Sequence, residues 1–572
     1  MQNLWTLKAL PEKDIVNSLQ ESLGVSELVA TLLAQRGIET YIQAKKFFRP
    51  KLSDLYNPFL MKDMDKAVER LHRAVSSNER ILVYGDYDVD GTTAVSLMYL
   101  FLKEKCQYVE YYIPDRYDEG YGVSYKGIDY AKSNDFSLIV CLDCGVKAIE
   151  KVTYAKNKDI DFIICDHHRP ADKLPLAVAI LDPKRSDCNY PFKELCGCGI
   201  GFKLAQAYHQ KYNLPFEDLV PLLDLVVVSI AADIVPMIDE NRVLSFYGLQ
   251  QLNANPRIGL KSLMNVSNRK DTFNISDIIF GLAPRINAAG RIEHGNKAVE
   301  LLVQQDLYIA KEKADYIDSH NFTRRELDKS ITQEALAMIE PDANSTVVFS
   351  EKWHKGVVGI VASRLIETHY RPTIVLTESN GKLTGSARSV SGFDIYDAID
   401  ACSDLLEQFG GHKYAAGLTL KNENLTAFIQ RFEEVVSTTI TAEMQIPKIN
   451  IDLEMPMQDI NMKTHRIIEQ MAPFGPSNSR PVFMTKGIID NGSGCIVGQD
   501  KNHLKLAITD SDNSKTLEGI GFGMSDYFST IKEKQPFDVC FVLDLNEWNG
   551  TSNLQLRIKD IRKNTLLQDN SS

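Results

Sequence analysis

Short apolar runs alternate with helix-like patterns through much of the first half of the chain. Five runs predict strands, at 81–85, 109–113, 138–142, 162–165 and 177–181. Apolar residues at helical spacing predict helices at 92–103, 124–134 and 146–156. Strands that are apolar throughout and separated by helices are typical of a parallel sheet covered on both faces. We therefore expect a parallel-sheet α/β domain at 76–295.

Beyond this domain the polarity pattern changes twice. From about 296 to 342 the sequence is strongly helical without an internal proline, apart from a possible interruption near Ser319-His320-Asn321, and predicts a connecting helix. A second α/β domain is expected at 343–440. Short alternating segments separated by Gly, Asp, Asn and Ser clusters then predict an all-β domain of the OB type at 447–563. Residues 1–75 look like one N-terminal helical region.

Composition narrows the class of protein. A chain of 572 residues is too long for a single core. No window holds eighteen consecutive apolar residues, and the N-terminus lacks a basic stretch before an apolar core, so neither a membrane span nor a secretion signal is predicted. The ten cysteines follow no disulfide framework, which indicates reduced thiols and a cytoplasmic location. The net charge of −12 argues against a general polyanion-binding surface but leaves room for a local basic groove.

Three carboxylates, Asp86, Asp88 and Asp90, follow the apolar run 81–85 directly. On an extended backbone these alternating residues would point the same way and would repel one another without a cation. The same spacing opens a calcium-binding EF-hand loop, but that loop needs a glutamate at its twelfth position, where this chain has Leu97. A solvated acidic turn is the plain alternative. We favour a carboxylate cluster at the carboxyl end of a strand, where ligands gather in α/β sheets.

The pattern recurs at the ends of later apolar segments. Asp143 ends the run 138–142, Asp166-His167-His168 ends the run 162–165, and Asp233 closes 225–232. An oxygen-rich set with one or two imidazoles suits Mn²⁺ or Mg²⁺ better than zinc. Two such ions about 3.5–4 Å apart form the clamp used for in-line displacement at phosphorus. The pair Cys141 and Cys144 permits a redox or zinc interpretation, but it brackets Asp143 and Cys141 lies in the apolar run as a small core residue.

The ordered motifs now allow a comparison with a known family. Asp86-Tyr-Asp-Val-Asp-Gly91, Leu142-Asp-Cys-Gly145, Asp166-His-His168 and Asp233 resemble the DHH phosphoesterase superfamily. Three later motifs resemble its RecJ branch, the single-strand-specific 5′→3′ exodeoxyribonucleases: Pro284-Arg-Ile-Asn-Ala-Ala-Gly-Arg291, Trp353-His-Lys-Gly-Val-Val-Gly-Ile360 and Gly410-Gly-His-Lys-Tyr-Ala-Ala-Gly417. The resemblance implies hydrolysis of single-stranded DNA to 5′-mononucleotides with two Mn²⁺ or Mg²⁺ ions, in DNA repair and recombination. It also implies a DHH-associated substrate-binding domain at 343–440 and a single-strand-binding barrel at 447–563.

The resemblance also implies residue roles. The implied metal ligands are Asp86, Asp88, Asp90, Asp143, His167 and Asp233, with Asp143 bridging the ions and Asp86 acting directly or through water. Asp143, Asp90 and His168 are the implied catalytic residues; His168 would contact the scissile phosphate or the leaving oxygen, or would instead orient His167. Implied substrate contacts are Arg285, Asn287, Arg291, Arg388 and His412, with an interlobe salt bridge as the alternative for each arginine.

Two rival functions and two protein partners complete the expectations. Small members of the superfamily hydrolyse cyclic dinucleotides or very short oligonucleotides, but they need no OB domain. An inert replication scaffold would have lost ligand positions that are all filled here. Family resemblance implies single-stranded DNA as the substrate, with single-strand-binding protein and a RecQ-type helicase as partners and no membrane attachment.

Overall fold

The chain forms two compact units, of which the smaller is discontinuous in sequence. The structure is a computed structural model that describes residues 3–269, 272–510, 515–533, 535–548 and 550–563. One unit comprises Met1–Pro50 with Ile446–Ser572, and the other comprises Lys51–Gln445. No helix among the described residues is long and apolar enough to cross a membrane.

The described strands are numbered in chain order: β1 (Leu4–Leu7), β2 (Ile81–Gly85), β3 (Val109–Tyr112), β4 (Leu138–Leu142), β5 (Asp161–Cys165), β6 (Ala179–Leu181), β7 (Thr346–Phe349), β8 (Thr373–Ser379), β9 (Lys382–Arg388), β10 (Leu406–His412), β11 (Ala415–Leu420), β12 (Lys448–Ile451), β13 (Leu453–Glu454), β14 (Phe483–Asp490), β15 (Cys495–Val497), β16 (His503–Thr509), β17 (Thr516–Gly521), β18 (Phe537–Trp548) and β19 (Thr551–Lys563).

The described α-helices are α1 (Lys13–Leu23), α2 (Glu27–Ala34), α3 (Tyr41–Phe48), α4 (Met64–Ser76), α5 (Val89–Lys103), α6 (Tyr125–Ser133), α7 (Ile149–Lys156), α8 (Gly197–Lys211), α9 (Leu223–Ala232), α10 (Asp239–Ala254), α11 (Ile258–Val266), α12 (Ile275–Asp277), α13 (Ala283–Ile292), α14 (Asn296–Leu302), α15 (Leu307–Leu336), α16 (Val358–Thr368), α17 (Ile395–Asp400), α18 (Leu425–Thr439), α19 (Met462–Glu469) and α20 (Phe528–Lys532).

A five-stranded parallel sheet in the order β3-β2-β4-β5-β6 forms the centre of the larger unit. Alternate residues of its strands enter two different cores. Ile81 and Val83 pack on the side of α4, α5, α8 and α9, while Leu82 and Tyr84 pack on the side of α6 and α7. The predicted parallel sheet covered on both faces is therefore confirmed.

The second half of this unit holds a mixed sheet in the order β10-β11-β9-β8-β7. The long helix α15 is fixed to this half through its C-terminal turns. The carboxylate of Asp328, which is 1% exposed, lies 2.8 Å from the Nη2 of Arg364 on α16, and the indole Nε1 of Trp353 donates to Glu334 at 2.9 Å. The helix thus connects the two sheets of the larger unit.

The smaller unit is a β-barrel joined by the N-terminal segment. Its seven strands follow the order β13-β14-β18-β19-β17-β16-β15, and β14 also pairs with β16 to close the barrel. Strand β1 adds to β12 in parallel register, with Leu4 opposite Lys448 and Leu7 opposite Ile451. Buried residues of α2, including Leu32 and Leu33, belong to the same hydrophobic core as the barrel.

Three expectations from the sequence are wrong in detail. Residues 1–75 do not form one region: 3–50 pack with the barrel, whereas α4 packs against the parallel sheet. The glycine and alanine content of 284–291 predicts a turn, but the segment lies in helix α13, because a proline in the first helical turn leaves no hydrogen bond unmade. The predicted interruption near Ser319 is continuous helix; the break lies at 303–306, where the Asp306 side chain caps the N-terminus of α15 by accepting from the N–H of Ile309.

Candidate active site

The acidic and histidine motifs meet at the carboxyl edge of the parallel sheet. Asp86 follows β2, Asp143 follows β4, and Asp166-His167-His168 follow β5. The expected extended backbone through Asp86, Asp88 and Asp90 is wrong. Asp88 caps the N-terminus of α5 by accepting from the N–H of Gly91 at 2.9 Å, and Asp90 lies in the first turn of that helix. The three carboxylates converge because the chain turns from strand to helix, not because a strand alternates.

Three of the predicted carboxylate ligands lie around the Nε2 of His167. The Nε2 of His167 lies 3.1 Å from the Oδ1 of Asp143, 3.7 Å from the Oδ2 of Asp90 and 3.7 Å from the Oδ2 of Asp233. Ligands that share one octahedral ion at about 2.1 Å are separated by roughly 3 Å, so these spacings fit a divalent cation. His168 also lies near Asp143, with its Nδ1 4.0 Å from the Oδ1 of that carboxylate.

Unsatisfied buried atoms support the same interpretation. Both ring nitrogens of His167 and the Oδ1 of Asp143 are buried without a hydrogen-bond partner in the described structure. Burial and the neighbouring carboxylates raise the pKa of Asp143 well above its usual range and the pKa of Asp233 to about 8. Such groups are costly in a folded protein unless a cation neutralises them. The donor set of carboxylates and one imidazole fits Mn²⁺ or Mg²⁺.

Asp86 and Asp88 border this cluster without completing it. Neither belongs to the groups whose ligand atoms all lie within 4.8 Å of one another among the described residues: Asp143 with His167 and His168, and Asp90 with His167 and Asp233. Burial, followed by the charge of Asp88, raises the pKa of Asp86 well above its usual value, and its Oδ2 is buried without a partner. The two residues therefore remain predicted ligands, for a second ion that would share Asp143.

Supporting contacts hold Asp90 in place, and the sequence motifs did not reveal them. Its two oxygens accept hydrogen bonds from the backbone N–H groups of Gly197 and Cys198 at 2.6 and 2.8 Å, and from the hydroxyl of Ser229 at 2.6 Å. Position 197 must be glycine, since a Cβ there would lie 2.6 Å from the Cβ of Asp143. The Cys-Gly-Cys sequence thus serves close packing of the α8 N-terminus against the carboxylates.

His168 is oriented by an aspartate of its own motif. Its Nδ1 lies 2.7 Å from the Oδ1 of Asp166, which is 1% exposed. Although burial acts in the opposite direction, this hydrogen bond and charge raise the pKa of His168 to about 9. In the metal-free protein the imidazole is therefore cationic at neutral pH and suited to face a phosphate.

A group of arginines lies beyond the carboxylates. The guanidinium of Arg291 on α13 donates to the carbonyl of Gly356 at 2.9 Å, and its neighbours are Arg116, Arg324 and Arg388. Burial, then repulsion from these three arginines, lowers the pKa of Arg291 to about 10. Such a concentration of positive charge is stabilised by a bound anion. We call these four residues the arginine cluster.

Tyr87 connects the arginine cluster to the carboxylates. It stands between Asp86 and Asp88 in sequence, and the guanidinium of Arg116 lies 4.8 Å from its ring centroid. Helix α13 approaches closely because Gly290 faces this residue; a Cβ there would lie 2.6 Å from the carbonyl oxygen of Tyr87. Arg116 and Arg324 were missed in the sequence because neither stands in a glycine-rich motif.

The other predicted substrate residues have different surroundings. Arg285 donates to the carbonyls of Gly281 and Val266 at 2.7 and 3.2 Å, and its Nε lies 2.8 Å from the Oδ1 of Asp318. These contacts make Arg285 a brace between α13 and α15. Asn287 on α13 is half-buried, and His412 is exposed at the end of β10, where its Nδ1 accepts from the N–H of Tyr414. Neither Asn287 nor His412 belongs to the arginine cluster.

The fold and the site together define a metal-dependent phosphoesterase of the DHH class. Family models match the DHH family N-terminal domain at residues 80–230, the DHHA1 domain at 342–438 and the RecJ OB domain at 451–560. The chain is 40% identical to the single-stranded-DNA-specific exonuclease RecJ of Bacillus subtilis over 96% of its own length and 70% of that protein. It is 32% identical to RecJ of Escherichia coli over 93% and 95% of the two chains.

A solved structure has the same overall fold. The crystal structure of RecJ in complex with Mn²⁺ from Thermus thermophilus superposes with a TM-score of 0.85 at 25% identity, over 98% of this chain and 80% of that one. The same protein has also been solved with Mg²⁺, with a TM-score of 0.80. The chain belongs to the RecJ family.

Proposed function

We propose that this protein is a metal-dependent exonuclease that hydrolyses single-stranded DNA from the 5′ end and releases 5′-mononucleotides. The observation that carries the proposal is the convergence of Asp90, Asp143 and Asp233 on the Nε2 of His167, at 3.1–3.7 Å. Relatives named single-stranded-DNA-specific exonuclease RecJ, at up to 40% identity, support the substrate class.

The carboxylates would hold two divalent cations, Mn²⁺ or Mg²⁺. Asp90, Asp143, His167 and Asp233 would hold one, and Asp86, Asp88 and Asp143 the other. Ions held there supply an activated water and offset negative charge on the reacting phosphate. His168, held by Asp166, would place its positive charge beside a phosphate oxygen or the leaving oxygen.

The arginine cluster gives a physical reason for action at a 5′ end. The four guanidinium groups of the arginine cluster, of which that of Arg116 lies over the ring of Tyr87, would bind a phosphate group that carries more charge than an internal phosphodiester, such as a terminal 5′-phosphate. A terminal phosphate held there would place the first phosphodiester towards the carboxylates and would favour release of one nucleotide at a time. Arg291 and Arg388 retain their predicted substrate role in this proposal, whereas Arg285 becomes a brace.

Biological setting and partners follow from family resemblance. We propose a role in DNA repair and recombination, in the cytoplasm, together with single-strand-binding protein and a RecQ-type helicase. The ten cysteines, none of which forms a disulfide, support a reducing compartment. The OB-type barrel would supply a sequence-tolerant surface for the single strand.

One assay tests the activity, its polarity and its metal dependence. Single- and double-stranded oligonucleotides labelled at the 5′ or the 3′ end would be incubated with Mn²⁺, Mg²⁺ or EDTA. We expect labelled mononucleotide at the earliest times from the 5′-labelled single strand only, and none in EDTA. Asp143→Ala should abolish release while leaving single-strand binding, and Asp172→Ala, at an exposed acidic position, is the matched control. Release from the 3′ label first would refute the polarity, and full activity of Asp143→Ala would refute the site.

A further inference from the structure

His168 has a partner on each of its ring nitrogens. The Nδ1 lies 2.7 Å from the Oδ1 of Asp166, and the Nε2 lies 3.1 Å from the hydroxyl of Tyr121. The rings of Tyr121 and His168 meet edge to face with centroids 5.9 Å apart. These two contacts hold the side-chain torsion angles of His168, although its imidazole is half-exposed. Only one of the two partners, Asp166, belongs to the same sequence motif.

Both partners are themselves anchored. Asp166 accepts hydrogen bonds from the backbone N–H groups of Val146, His167 and His168, so its carboxylate cannot rotate freely. Tyr121 lies between Gly120 and Gly122, whose φ angles of 81° and 76° bring the tyrosine out of the loop towards the sheet edge. Its ring also meets the ring of Tyr87 at 6.3 Å.

The same loop is connected to the metal ligands. The N–H of Gly122 lies 3.5 Å from the Oδ1 of Asp86, and the carbonyl of Gly122 accepts the hydroxyl of Tyr84 from β2. The position of the Tyr121 hydroxyl is therefore set by the sheet edge that presents the carboxylates. The Gly122 contacts therefore hold the Tyr121 hydroxyl at 3.1 Å from the Nε2 of His168, whereas an unsupported surface tyrosine would be free to move away.

We propose that Tyr121 is a positioning residue that holds the imidazole of His168 in the orientation required at the scissile phosphate, with Asp166 as the opposite support. The inference deepens the proposed exonuclease function and rests on it for its kinetic consequence. Tyr121 acts through its hydroxyl, and its target is His168. The competing role is direct contact of the exposed ring with a nucleobase, which would need the ring but not the hydroxyl.

A double-mutant cycle separates the two roles. Tyr121→Phe removes the hydroxyl and keeps the ring, and we expect kcat to fall about five- to tenfold with KM changed less than twofold, as for loss of one hydrogen bond. In a His168→Gln background the same change should alter kcat less than twofold, because the group it positions is gone. Tyr125→Phe, at an exposed tyrosine four residues along the chain, is the matched control and should equal wild type in kcat and KM.

A measurement on the free protein tests the contact without any turnover. NMR of the protein labelled with ¹⁵N-histidine should show the Nε2–H of His168 protected from solvent exchange in wild type and in Tyr125→Phe. The same Nε2–H should exchange with solvent in Tyr121→Phe. Loss of protection in Tyr121→Phe with an unchanged melting temperature supports the positioning role. Absence of DNA hydrolysis by the wild-type protein would refute the exonuclease proposal, but it would leave this result on positioning intact. Equal losses of kcat in both His168 backgrounds, a change confined to KM, or unchanged protection in Tyr121→Phe would each overturn the inference.

Discussion

Replacing Arg291 by methionine should weaken catalysis without weakening the fold. The side chain is largely buried beside three other arginines, and its pKa falls from 12.5 to about 10. At about 1.4 kcal/mol per tenfold change, that depression corresponds to roughly 3 kcal/mol of unfavourable free energy in the folded protein at neutral pH. The hydrogen bond to Gly356 returns about 1.5–3 kcal/mol, because its donor is charged. The two contributions nearly cancel, so Arg291 contributes little net stability to the free protein.

A bound phosphate changes this balance, because it supplies the missing negative charge. Loss of a charge-assisted contact worth about 1.5–3 kcal/mol should lower kcat/KM by about ten- to a hundredfold. Methionine is a suitable replacement because it fills much of the space of the arginine stem without the charge.

The assay combines kinetics with thermal unfolding. We expect kcat/KM on a 5′-phosphorylated single strand to fall in Arg291→Met while the melting temperature stays level or rises, and the loss should be smaller on a 5′-hydroxyl strand. Arg431→Met, at a half-exposed arginine of α18, is the control and should leave both quantities unchanged. A lower melting temperature with unchanged kinetics would show that Arg291 is a structural brace, and the argument from repulsion would then be refuted.

Three further predictions follow from other contacts. Arg285→Ala should lower the melting temperature and leave kcat/KM within about threefold, because the lost contacts are to Gly281, Val266 and Asp318, which are protein groups; a selective kinetic loss would contradict this. In EDTA, the free energy of unfolding should fall as pH rises from about 4 to 8, because the pKa of Asp233 is raised to about 8 in the folded protein and its ionisation there is unfavourable. Addition of Mn²⁺ should reverse this fall. A melting temperature that does not change with pH in EDTA would refute the prediction. Removing 446–572 alone should expose apolar surface on residues 1–50 and promote aggregation, whereas residues 51–445 expressed alone should remain monomeric in size-exclusion chromatography.

The sequence predicts best those parts of the fold that depend on local pattern. Strands β2 and β4 have the predicted bounds, because uninterrupted apolar runs of five residues flanked by helices are typical of buried parallel strands. The carboxylates at their ends could be predicted to meet for the same reason, since parallel strands bring their carboxyl ends to one edge.

What the sequence does not predict depends on contacts between distant segments. The sequence predicts the helix after the carboxylates from residue 92, yet α5 starts at Val89 and makes Asp88 its N-cap. The glycine and alanine content of 284–291 predicts a turn, yet Gly290 serves the close approach of α13 to Tyr87. Arg116 and Arg324 gain their significance only from proximity to Arg291. No periodicity within a segment indicates such pairings.

The pairing of β1 with β12 has a consequence for synthesis of the chain. A ribosome makes Leu4–Leu7 first but reaches Lys448–Ile451 only after the whole of Lys51–Gln445. At about 5–20 residues per second, the N-terminal strand waits roughly 20–90 s for its partner. The larger unit can complete its sheets in that interval, while the apolar face of α2 has no barrel to cover it. The earliest residues to be translated are therefore among the last to reach their native contacts, and during that interval they are the natural target for a chaperone.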